Sequence, residues 1–317
     1  MVDSAQHWSR IGESGAVIGM KFLLLVYRLT GRGGFRLFLF PVMVYYYLFR
    51  PNARHASQDY LRRIRPLLAP AQRDGLSSFR HFVMFGEIML DKILVWMGRI
   101  RREDVLFPKA DIVHDLEVNR RGGVIVVSHL GNFEICNAIA QQIPHMRLTI
   151  LVYTRHAKKF NTLLSGVSAD AEIDILQVND LSPATVMLFA ERVRSGGYIV
   201  IAGDRTPITG QDRVSEVNFL GGVAAFPQGP FILAGLLRCP VYLLFCLKQQ
   251  GQYHVHLEKF SEQIEFRKRK QRAQILDDAV QSFADRVQHY CLQAPLQWFN
   301  FFPFWRNERA GDKGVKR

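Results

Sequence analysis

The stretch Gly123-Val124-Ile125-Val126-Val127-Ser128-His129-Leu130-Gly131-Asn132-Phe133-Glu134 decides how this chain reads. Gly123–Ser128 is a short, unbroken apolar run, the pattern of a strand buried on both faces. Gly131 and Asn132 suit a turn, and a helical pattern follows over Phe133–Gln142. Similar apolar runs recur at Leu148–Tyr153, Gly197–Ala202 and Val241–Cys246, with a second helical pattern at Ala184–Arg194. Strands alternating with helices predict an α/β fold, a central and mostly parallel sheet flanked by helices. Tyr253–Phe260 alternates in the manner of an edge strand.

Upstream the pattern changes. Residues 1–16 are polar, and two apolar blocks follow, Val17–Leu29 and the uncharged Leu37–Phe49. Glycine-rich, basic Thr30–Arg36 separates them. Neither block alone reaches the ~20 residues that span a bilayer, and neither is followed by a small-residue cleavage site. An in-plane anchor, a hairpin in one leaflet and one tilted span all fit; so does a helix pair buried on the domain. Tyr45-Tyr46-Tyr47 and the flanking arginines suit a membrane interface. Residues 1–50 therefore read as an N-terminal membrane-anchoring segment and 51–310 as the main domain. Residues 58–70 predict a short helix stopped by proline. Ser77 or Ser78 could cap a longer helix that runs to about Arg101 with a broad apolar stripe.

The chain has 317 residues, with 41 Lys+Arg against 28 Asp+Glu and a formal charge of +13. So basic a surface suits an anionic partner. Its 23 Phe, 10 Tyr and 4 Trp gather in apolar blocks near the two ends, which favours a lipid interface over nucleic acid. No short nucleic-acid-binding signature occurs. Cys136, Cys239, Cys246 and Cys291 sit among apolar residues without a CxxC pair, and read as buried reduced thiols. No Cys/His cluster has zinc-ligand spacing. The run Arg267–Lys270 with Arg272 is either a solvated loop or a contact for acidic headgroups or an acidic carrier. The aromatic Gln297–Trp305 is either core closure or a second membrane-facing patch.

His129 follows its strand directly, so it stands at the sheet edge where α/β folds collect ligands. A neutral imidazole can take the proton of a substrate hydroxyl as that hydroxyl attacks an acyl carbonyl. Glu134, five residues on, could hold the other ring nitrogen and stabilise the imidazolium. The helix N-terminus would offer N–H groups to an oxyanion or phosphate. By spacing alone the pair also fits a capping histidine and a favourable first-turn acid. A serine hydrolase is disfavoured: Val126-Val127-Ser128-His129-Leu130 is no nucleophile elbow, and adjacent residues at a strand end face opposite ways.

The block Val126–Glu134 resembles the HxxxxE motif of the late acyltransferases of lipid A biosynthesis, the lauroyl and myristoyl transferases. Further blocks resemble that family in the same order: Val152-Tyr153-Thr154-Arg155 with Asn161, Ser195–Arg205, Phe219–Gly222 with Phe226–Pro230, and Cys239-Pro240-Val241. The resemblance covers roughly residues 75–295. It implies transfer of an acyl chain from acyl carrier protein to a lipid hydroxyl at the cytoplasmic face of the inner membrane, with no metal or organic cofactor. It implies His129 and Glu134 as the catalytic pair and Asn132 as a neighbour of the site. Arg155, Asp204 and Arg205 match positions that would bind polar or phosphorylated parts of a substrate, an Arg fork suiting phosphate; a structural ion pair is the plainer alternative. Gly221 and Gly222 would let backbone approach a ligand, or simply form a turn.

The C-terminus departs from the family. Gln297–Trp305 lacks the His expected after the Trp-rich motif, and in this it resembles acyltransferases associated with aryl polyene lipids. The acceptor is then a lipid A type glycolipid or an aryl polyene lipid. A scaffold that kept the fold and lost turnover is the reading from another class.

Overall fold

The computed structural model describes residues 16–100, 102–108, 110–119, 121–135, 147–152, 173–177, 182–206, 213–266 and 268–305. The helices are α1 (Ala16–Phe49), α2 (Pro51–Ile64), α3 (Pro70–Arg73), α4 (Ser78–Trp96), α5 (Ala110–Asn119), α6 (Pro183–Arg194), α7 (Gly229–Leu237) and α8 (Arg272–Gln293). The strands are β1 (Val105–Leu106), β2 (Gly123–Gly131), β3 (Leu148–Val152), β4 (Ile173–Gln177), β5 (Tyr198–Ala202), β6 (Val214–Phe219), β7 (Gly222–Pro227), β8 (Val241–Gln249) and β9 (Gln252–Ser261).

Seven strands form one sheet in the order β1-β9-β8-β2-β5-β3-β4. Only the β8–β9 pair is antiparallel. The fold is thus α/β with a mostly parallel sheet. The apolar runs serve both faces: Val124, Val126, Ile199, Ile201, Leu243 and Phe245 meet α7 and α8, while Ile125, Val127, Val200, Tyr242 and Leu244 meet α1 and α4. β2 lies at the centre of this three-layer core because every second residue has an apolar layer to enter.

Three expectations need correction. β9 is an inner strand, since β1 pairs beyond it; β1 covers only Tyr253 and His254, so most of β9 keeps an edge strand's alternation. The two N-terminal blocks form one helical element, broken at Gly31, which has φ 68° and ψ −161°. The helix expected from residue 58 begins at Pro51, whose fixed φ suits the first helical position. α4 starts as expected, with Ser77 accepting the Arg80 amide. The helix expected over Phe133–Gln142 lies outside the described residues beyond Ile135.

α1 has two faces. Phe35, Leu39 and Met43, one turn apart, are buried with α4 residues, while Leu29, Leu37, Phe40, Tyr45, Leu48 and Phe49 are exposed. Among the described residues no helix is long and apolar enough to cross a membrane. The C-terminal aromatic block closes the core: Trp298 is fully buried, and Phe299 and Trp305 nearly so. Cys239, Cys246 and Cys291 are buried thiols; Cys136 lies outside the described residues.

Candidate active site

The ends of two neighbouring strands build the site. β2 pairs with β5 through Val127 and Ala202, and the Gly203 amide bonds the Val127 carbonyl at 2.8 Å. The chain just past that pairing carries His129 on one strand and Asp204 on the other. Against β8, β2 shifts register between Val127 and Gly131. Such irregularities re-aim side chains at strand ends, and this one holds His129.

Gly131 makes the irregularity possible. Its φ is 72°, and a Cβ there would meet the Cys246 carbonyl oxygen at 1.9 Å. The segment Gln297–Phe299 runs antiparallel to the strand end. The Gly131 amide bonds the Gln297 carbonyl at 2.8 Å and the Phe299 amide bonds the His129 carbonyl at 2.9 Å.

Asp204 is fully buried and converges on His129 twice. Its Oδ1 is 2.7 Å from His129 Nδ1, and its Oδ2 accepts the His129 amide at 2.8 Å. Trp298 Nε1 donates to the same Oδ2 at 3.1 Å, and Asn300 Nδ2 at 3.4 Å. Burial pushes the Asp204 pKa up, but the His129 contact, its hydrogen bonds and Arg205 outweigh it, so the carboxyl sits below its ordinary range. The ionised carboxylate therefore accepts a hydrogen bond from Nδ1–H and fixes the tautomer. The His129 side chain is 28% exposed, and its Nε2 has no bond among the described residues. Desolvation, with Arg205 and Lys92 adding, lowers its pKa against the opposing pull of Asp204.

The orienting carboxylate is thus Asp204, expected from sequence among the substrate-binding residues. Glu134 instead receives the Lys92 ammonium of α4 at 2.8 Å, which also stands over the Phe133 ring. The physical reason is direction. The chain past Gly131 turns to place the Asn132 amide on the Cys246 carbonyl, which carries Glu134 toward α4. The amides of Gly131 and Asn132 are used in these bonds, so they are not oxyanion donors.

The other expected site residues divide. Arg205 spends its fork on Asn300 Oδ1 at 2.7 Å and the Phe299 carbonyl at 2.8 Å, so it fastens the C-terminal segment where a phosphate clamp was expected. Burial brings its pKa down to about 10, with Asp204 opposing, and it stays charged at neutrality. Asn132 is fully buried beside the Tyr253 hydroxyl, where a substrate contact was expected. Tyr253 and Lys248 each bond Asp91 at 2.6 Å, and Arg32 of α1 reaches it at 2.8 Å. Gly221 forms the β6–β7 turn with Leu220, both at positive φ, and Gly222 packs on Arg63 and Trp305. Arg155 lies outside the described residues. Ser128 Oγ is buried with no partner among the described residues, which fits no Ser–His relay.

Sequence reading missed Lys92, Trp298, Asn300 and His81. His81 is fully buried. Its Nε2–H donates to the Trp298 carbonyl at 2.9 Å, and its Nδ1 accepts from Ser57 at 3.0 Å. Ser78 donates in turn to Ser57 at 2.8 Å. The available signal was polar residues within apolar stripes, at Ser57, His81 and Asn300. Among the described residues no group of His, Cys, Asp and Glu could hold a metal ion. In comparison with known proteins, no family model and no curated sequence matches the chain.

Proposed function

We propose that this chain is a membrane-associated O-acyltransferase. It moves an acyl chain from an acyl carrier protein thioester to a hydroxyl of a glycolipid or lysophospholipid-like acceptor, of lipid A or aryl polyene lipid type. The place is the cytoplasmic face of the inner membrane. One observation carries this reading: a neutral imidazole, pinned at Nδ1 by a buried carboxylate, on a side chain 28% exposed whose Nε2 has no bond among the described residues.

His129 Nε2 takes the acceptor's hydroxyl proton as the oxygen bonds to the thioester carbon. Asp204 stabilises the imidazolium that forms. The C–S bond then breaks, and the leaving sulfur takes the proton back from His129. Arg205 and, to a lesser extent, Lys92 are the cations that lower the His129 pKa; with the Arg205 fork engaged by Asn300 and the Phe299 carbonyl, Lys92 is the one suited to the charge that develops on the carbonyl oxygen. The resemblance of His129–Glu134 and the blocks after it to lipid acyltransferases supports the same reaction.

The test is transfer of a labelled acyl chain from acyl carrier protein into extracted membrane lipid. Wild type should label a lipid and His129→Ala should lose at least about a hundredfold. Equal labelling by the two proteins would end the assignment.

A further inference from the structure

A groove of about 530 Å³, lined by none of the residues that bond His129, opens between α2, the turn after it and the start of α4. Leu61, Pro66 and Leu76 make its apolar part, and Arg62, Arg65 and Arg73 line it. Arg62 pairs with Asp59. Among the described residues Arg65 and Arg73 have no carboxylate: Arg65 bonds the Leu76 carbonyl, and Arg73 bonds those of Leu68 and Pro66. Between residues 50 and 80 the chain carries Arg50, Arg54, Arg62, Arg63, Arg65, Arg73 and Arg80 against only Asp59 and Asp74. Exposed guanidiniums held in place by backbone, over apolar surface, suit a phosphate with an apolar continuation.

The neighbourhood indicates where that phosphate comes from. α2 begins two residues after the exposed apolar row of α1 ends at Phe49, and Leu67, 47% exposed, follows Arg65 in the turn. An apolar face leading into arginines is the order of groups a protein presents to a bilayer, with apolar side chains among acyl chains and arginines at headgroup depth. We propose that this groove is a headgroup site for an anionic phospholipid, distinct from the acceptor site at His129. It rests on the membrane association proposed above and gives that association a lipid preference.

The experiment is co-sedimentation of the full chain with vesicles of phosphatidylcholine alone, and of phosphatidylcholine doped with phosphatidylglycerol. Wild type should bind both and prefer the anionic ones. Arg65→Gln/Arg73→Gln should lower affinity for the anionic vesicles about thirtyfold and leave neutral-vesicle binding unchanged. Arg62→Gln alters a side chain that is 77% exposed, and should cost about fivefold, which keeps the test open if the double variant fails to fold. Arg194→Gln/Arg238→Gln, at two exposed positions outside the groove, removes equal charge elsewhere and should change affinity far less.

The proposal is overturned if the groove variants bind anionic vesicles as wild type does, or if the control variant Arg194→Gln/Arg238→Gln loses as much. It is also overturned if the groove variants lose affinity for an acidic carrier protein while vesicle binding holds, which would make the groove a protein dock. Wild type ignoring every vesicle would overturn the membrane reading too. Loss of the anionic preference alone would leave that reading intact.

Discussion

At neutral pH the imidazole of His129 is uncharged, because the protein around it penalises the cation more than Asp204 rewards it. The sign for catalysis follows. A base must be deprotonated, so kcat/KM should rise with pH to a plateau, with its midpoint below the ordinary imidazole value of 6.5. Asp204→Asn removes the group that holds the pKa up, so the residual activity should show its midpoint at still lower pH. A pH–rate profile for each protein checks this; a wild-type midpoint above 6.5 would contradict it. Glu134 has a separate part. It and Lys92 are mostly buried as a pair. Glu134→Gln or Lys92→Met alone leaves a charge unpaired and should cost about 3 kcal/mol of stability. The double variant should recover part of it, with a coupling on the order of 1–3 kcal/mol in denaturant melts. His129 was legible in sequence from its place after an apolar strand. Its partner was not, because HxxxxE spacing offers a near carboxylate, whereas the folded chain supplies one from 75 residues away.

Among the elements, the end of β2 depends on one backbone conformation. Gly131→Ala meets the Cys246 carbonyl and forces an L side chain to positive φ. It should cost more than about 2 kcal/mol and remove activity together with stability. The junction of α2, α4 and the C-terminal segment is held through His81, whose pKa burial lowers to about 4. The unfolded chain takes that proton near 6.5 and the native state does not until about 4, so this stabilisation is present above 6.5 and is lost as pH falls between the two. The loss should approach about 3 kcal/mol, seen as a falling unfolding free energy that His81→Gln flattens. β2, β3, β5 and β8 were legible because an unbroken apolar run has few other uses, whereas β1 and β4, at the two sheet edges, were not read as strands. The α1 break was read as a gap between two blocks, since Thr30–Arg36 gives no sign that helix resumes at once. β6 and β7 were seen only as a glycine-bearing block, because two short strands of mixed polarity carry little periodic signal.

The whole molecule is closed from both ends. α1 buries Phe35, Leu39 and Met43 against α4, so deleting residues 1–50 should expose core and give insoluble protein. Changing only its exposed face is the cleaner experiment: Leu29→Ser/Leu37→Ser/Leu48→Ser should fold and yet leave the membrane fraction. Retention of that variant on membranes would show that this face is no anchor. At the other end, Trp298 and Asn300 bond Asp204 while Arg205 bonds Asn300 and the Phe299 carbonyl. The aromatic block was legible as unsuited to a solvated tail. That it also steadies the Asp204 carboxylate depends on a pairing between residues 130 and 298, which no local pattern carries.

Asp204 acting through His129 is the centre of the proposed chemistry. The measurement is the acyl-transfer rate of Asp204→Asn beside wild type, with the donor's KM recorded. The expected result is a fall in kcat of about 10²–10⁴ with donor KM little changed, and wild-type turnover in the variant would contradict it.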